Sequence, residues 1–137
     1  MESYKFFPHT ADAKFQAYGT TLEEAFANAA KAMASILLEP EKVKPAVEEK
    51  ITCEGADEKA LLYCFLEEFL FLLDTKGFIL SDIKKIRIEG SKLTAIAAGD
   101  IVGEKYHLHG SVKAITYNEM DIKREDGRVT VQAVVDV

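Results

Sequence analysis

A chain of 137 residues, 48% apolar and 29% charged, has the length and balance of one folded domain with a single core, which excludes a disordered or membrane-embedded class. No apolar run approaches the roughly 18 residues of a membrane span, and the first residues lack a basic-then-apolar leader pattern, so a cytoplasmic setting is expected. The formal net charge of −6 argues against broad nucleic-acid binding, which needs a surplus of Lys and Arg, while leaving room for a basic partner or a bound cation.

In chain order, Tyr4–Phe7 and Ala13–Gly19 read as short strands around a polar His9-Thr10-Ala11-Asp12 turn, the second strand sending Phe15 and Ala17 to one face. The segment 20–42 is the clearest helix. Thr21 and Glu24 have capping-box spacing, Leu22, Ala25, Phe26, Ala29, Met33, Ile36 and Leu37 form an apolar stripe, and Pro40 ends it. The small residues Ala29, Ala30, Ala32 and Ala34 let a sheet approach closely. Ala46–Gly55 alternates as a half-buried strand. Asp57–Gly77 is a second helix, capped by Asp57 and terminated by Gly77, and apolar over much more than one stripe, as a helix covered on two sides must be. We expect it between a sheet and the first helix; the competing reading is a partner surface.

The remainder is strand-like. Segments 83–90 and 92–100 are joined by a hairpin turn at Gly90-Ser91, and 107–125 and 128–137 by a second at Asp126-Gly127. This order predicts an α+β single domain over 1–137, with mostly antiparallel sheet packed on two long helices. Cys53 and Cys64 fall on different elements without CxxC spacing and read as reduced thiols.

The oxygen-bearing candidates for chemistry are Asp12, Asp100, Glu104, Asp136 and the carboxylate of Val137. Asp136 and Val137 can turn toward one point, and a third group such as Asp12 would complete a hard site suited to Ca²⁺, Mg²⁺ or Mn²⁺. The spacing alone does not bring Asp12 to Asp136. A rival is a three-histidine zinc site. His107 and His109 would share a face of a strand, with His9 as third ligand. Phosphate-binding glycine loops and nucleophile elbows are missing. Lys113, in a "VKAITY" run, is either a strand-covering lysine or a cation beside an acidic site.

Three segments together are more informative than any alone. "HTAD" with a strand ending "YG" and a "TLEEAFANAA" helix, then "VKAITYNEM", then a final "VVDV", resemble the archease family in order and over the whole chain. The sequence departs from the family pattern at Ala13 and Lys14, where a small aliphatic residue and Gly are expected, and at Asn118, a frequent histidine position. The resemblance implies an accessory protein of tRNA splicing, not itself an enzyme, that helps a GTP- and Mn²⁺-dependent RtcB-type RNA ligase become guanylylated and turn over repeatedly. It also implies an older role as a chaperone-like modulator of tRNA methyltransferases. It assigns metal binding to Asp12, Asp136 and Val137, with Ca²⁺ expected and Mg²⁺ or Mn²⁺ as alternatives, and activation of the partner to Lys113, with His9 of the HTAD motif beside it.

Overall fold

The computed structural model describes residues 2–137. Its elements are β1 (Tyr4–Phe7), β2 (Asp12–Gly19), α1 (Leu22–Leu37), β3 (Val47–Glu54), α2 (Glu58–Lys76), β4 (Phe78–Glu89), β5 (Lys92–Ile101), β6 (Ala114–Ile115), β7 (Asp121–Glu125) and β8 (Arg128–Asp136), with a single 3₁₀ turn at Pro40–Lys42. The strands form two sheets, and every pairing is antiparallel. One runs β1-β2-β8 with β6 and β7 both on the far side of β8; the other runs β3-β5-β4. The α+β class read from the sequence is the class observed.

Local chemistry sets the helix ends. Thr21 Oγ1 accepts from the Glu24 N–H at 3.1 Å, and the Glu24 carboxylate reaches back to the Thr20 N–H at 2.8 Å, one residue earlier than a strict capping box. α1 stops at Leu37, three residues before Pro40, which opens a 3₁₀ turn. Asp57 caps α2 through the Ala60 N–H at 2.8 Å, and Gly77, at φ 68°, closes it with a left-handed turn whose N–H bonds Leu73.

The helices form a layer between the sheets. α1 packs on β2 and β8 from one side and on β4 from the other; α2 packs on β3, β4 and β5 and also reaches β6 and β7. The expected position of α2, between a sheet and the first helix, therefore becomes a position between two sheets. Leu61, Leu62, Phe65 and Leu66 are fully enclosed, and the stacked rings of Phe26 and Phe65, 6.1 Å apart, join the helices. One continuous core spans both sheets and both helices. Close packing reaches the backbone at Gly99 of β5, where a Cβ would lie 1.9 Å from the Ile79 carbonyl oxygen.

The last third corrects the sequence reading. β4 begins at Phe78 rather than 83, directly after the Gly77 cap, because Phe78, Ile79 and Leu80 are buried. The stretch 107–125 is not one strand. Residues 107–113 are irregular, β6 is two residues long, and the chain then leaves the sheet over 116–120 before β7 resumes. Both short strands pair with β8, at Val135–Asp136 and at Arg128–Gln132, so they are one edge strand with an excursion in its middle. Glu119, at φ 53°, makes that excursion. The two hairpins form as read. Gly90 has positive φ, and Asp126-Gly127 has positive φ at both positions, the requirement of a tight type I′ turn.

Candidate functional site

The register of the first sheet decides the site. β2 pairs with β8 so that Asp12 lies opposite Asp136, and β6 pairs with the other edge of β8 so that Ala114 also lies opposite Asp136. The Lys113 N–H donates to the Asp136 carbonyl at 2.8 Å. Asp12, Asp136 and the Lys113 backbone, remote from one another in sequence, thus meet at one end of the sheet. Directly opposed carboxylates repel across an antiparallel pair, and Asp136 has no ion-pair partner among the described residues.

His9 stands next to this pair. Its Nε2 lies 2.8 Å from Glu119 Oε2, and Lys14 Nζ lies 3.0 Å from Glu119 Oε1, so the excursion of the edge strand is clamped across the sheet by one carboxylate. His9 Nδ1 is buried without a hydrogen-bond partner, 3.8 Å from Asp12 Oδ2, beyond hydrogen-bond reach. The hydrogen bond to His9 and then that to Lys14 hold the Glu119 carboxyl below its ordinary range. The clamp extends along the same face. Gln132 Nε2 donates to the Glu119 carbonyl at 2.7 Å, Gln16 Nε2 to Gln132 Oε1 at 3.0 Å, and the Tyr18 hydroxyl to Gln16 Oε1 at 3.0 Å. Residues 12, 14, 16 and 18 share that face by strand alternation. Sequence reasoning missed Glu119. The available signal was Lys14, an unexpected cation that needed a carboxylate.

The other candidates separate. His107 and His109 lie on irregular, exposed backbone, not on a strand, so the shared-face premise of the zinc reading fails. Among the described residues no three His, Cys, Asp or Glu side chains converge as a metal cluster. The Asp12–Asp136 pair therefore gains no third side-chain ligand of these types among the described residues. An all-oxygen, open arrangement with a repelling carboxylate pair still fits a hard cation, provided main-chain oxygens and water complete its shell.

Asp100 is a structural group. It is 3% exposed and accepts from the Ile101 N–H at 2.8 Å and the Tyr106 hydroxyl at 2.8 Å, with Lys105 at 3.5 Å. The backbone hydrogen bond from Ile101, followed by that from Tyr106, holds its carboxyl low. Tyr106 in turn accepts from the Lys44 N–H at 3.1 Å, so this carboxylate ties two loops together. Glu104 is exposed. Cys53 and Cys64, on different elements as read, are free thiols that face each other across β3 and α2, and burial followed by the hydrogen bond to Cys64 pushes the Cys53 thiol up.

Comparison with known proteins agrees with the motif reading. The sequence model of the archease protein family (MTH1598/TM1083) matches residues 4–137. The chain is 41% identical to the protein archease of Thermococcus kodakarensis and 38% identical to that of Methanothermobacter thermautotrophicus, each over 100% of both chains. It superposes on the solution structure of Methanobacterium thermoautotrophicum protein 1598 with a TM-score of 0.86 at 36% identity, covering 100% of both chains. The crystal structure of a Thermotoga maritima protein described as an archease and possible chaperone shares the fold, with a TM-score of 0.63 at 21% identity over 97% of this chain and 96% of that one.

Proposed function

The chain belongs to the archease family, and on that premise we propose that it is a metal-binding accessory protein that activates an RtcB-type tRNA-splicing RNA ligase. The observation that carries this reading is the register that sets Asp12 opposite Asp136 with Lys113 bonded to the same residue. In the proposal, the two carboxylates and Val137 hold a hard divalent cation, Ca²⁺ first, with Mg²⁺ and Mn²⁺ as alternatives. The cation supplies the positive charge that relieves the carboxylate repulsion.

The chain's own residues do the rest. Glu119 orients His9 so that its unpartnered Nδ1 lies near Asp12. Lys113, on an exposed stretch joined to β8 by its N–H, carries its ammonium to the partner. The rigid sheet end is then a preformed acidic tip that favours the guanylylation-competent state of the ligase by binding it preferentially, without a covalent step of its own.

The test is multiple-turnover RNA ligation by the ligase of the same organism, with wild type, Asp136→Ala and Lys113→Ala. We expect strong stimulation by wild type that falls at least tenfold in each variant. An unimpaired Asp12→Ala/Asp136→Ala double variant would refute the reading. Absence of stimulation by folded wild type moves the methyltransferase-modulator role to first place. A stand-alone hydrolase would use a divalent metal on Asp12 and Asp136 or on His9, His107 and His109. The irregular, exposed backbone of His107 and His109 disfavours the second form, and turnover of a phosphoester without a partner would favour the first.

A further inference from the structure

The second sheet carries a different feature on its solvent face. In β3-β5-β4, Lys50 lies opposite Ile96 and Ile96 opposite Lys85, so the three form one row across the sheet; Thr52, Thr94 and Arg87 form the next row. Registered neighbours project to the same side. Together Lys50, Lys85, Arg87, Thr94, Ala95 and Ile96 line a concavity of about 290 Å³. A register shift in β4 between Ile83 and Lys85 takes Lys85 into this row, the kind of re-aiming a β-bulge performs.

Charge is distributed unevenly across this face. The rim carboxylates are already neutralised: Glu48 by Lys84 at 3.0 Å, Glu54 by Lys92 at 3.8 Å, Asp82 by Lys31 at 2.8 Å, and Glu89 by Arg87. Lys50 and Lys85 form no ion pair among the described residues. The centre of the face therefore holds two free ammonium groups around an apolar floor, with the Arg87 guanidinium beside them bonded to Glu89 through Nε, in a chain whose net charge is −6. Lys50 and Lys85 are two strand spacings apart, about 10 Å between backbones, so their long side chains can converge on an anion above Ile96. The two terminal amino groups of Arg87, which the Glu89 contact leaves open, two ammonium groups and the Thr94 hydroxyl match the oxygens of a phosphate, and Ile96 offers a surface for the organic part of its ester.

We propose that this concavity is a binding site for a phosphate ester, held by Lys50, Lys85, Arg87 and Thr94. The site is on the opposite sheet from the Asp12–Asp136 pair, so it stands or falls independently of the ligase reading. Two sources share this chemistry, a free nucleotide and the backbone of single-stranded RNA, and the experiment separates them. The full chain is titrated with a nucleoside 5′-monophosphate and with a ten-nucleotide RNA at 50 mM salt, following backbone amide shifts and fluorescence anisotropy.

The expected result is shifts centred on residues 50, 85, 87 and 94, and a tenfold or greater loss of affinity in Lys50→Ala/Lys85→Ala. Lys5→Ala/Lys59→Ala, which removes the same charge elsewhere, should bind as wild type. RNA binding at least tenfold tighter than the monophosphate, with a log–log salt slope of about −2, identifies the RNA backbone. Equal affinities identify a small phosphorylated molecule. Absence of shifts at these four residues at millimolar ligand, or equal binding by the two double variants, overturns the proposal.

Discussion

At the scale of single residues, the site depends on Glu119 as much as on the carboxylates that motif matching points to. One side chain fixes His9 and Lys14, and its own backbone sits at φ 53°. Glu119→Asn tolerates that backbone but is too short for either partner; we expect normal folding, loss of the His9 contact and weakened partner stimulation, read by the His9 ring-nitrogen shifts in NMR. Glu119 also makes a prediction about pH. Its folded value is held below the ordinary 4.5, so its contribution to stability is fully present above 4.5 and is lost as the pH falls through the lower folded value. The stability gap between wild type and Glu119→Gln should therefore close as the pH falls below 4.5, as denaturant midpoints would show. Asp100 behaves with the same sign from its ordinary 3.8. Asp12 and Asp136 could be nominated from sequence because they are carboxylates in motif positions, and Val137 because the family resemblance gives a role to its terminal carboxylate. That Asp12 faces Asp136 could not, since a one-residue slip in register would send one of them to the other face.

At the scale of elements, what was legible follows from where the information lies. The helix caps, the Pro40 stop and the two hairpin turns are written in neighbouring residues, and each was placed within a few positions. Residues 107–120 were misread because their alternation of apolar and polar side chains is the same whether the backbone pairs or not. Only the partner strand β8 decides which pieces pair, and it selects two residues at β6 and five at β7. Two substitutions measure the elements separately. Thr21→Ala removes the α1 cap and should cost about 1 kcal/mol in denaturant unfolding. Phe65→Ala empties the position in α2 that stacks on Phe26 and should cost about 3–5 kcal/mol. A Phe65→Ala loss under 1 kcal/mol would mean that α2 is not packed on both sides.

At the scale of the whole molecule, the two sheets lean on the same helix layer, and Gly99 shows how little slack there is. Gly99→Ala would drive a methyl group into the Ile79 carbonyl and force β4 from β5, so we expect a strongly lowered melting temperature, whereas Gly90→Ala, with open space around it, should lose only what its positive φ costs. The topology has a further consequence, for synthesis. β8 is flanked by β2 on one side and by β6 and β7 on the other, and it follows all three in chain order. Until it leaves the ribosome, the five-stranded sheet has no centre. β2, β6 and β7 then wait with bare hydrogen-bonding edges, the state in which strands recruit one another between molecules. The acidic tip at Asp136 is formed in the same step that removes those edges, so a chain able to present it is one whose first sheet has already closed.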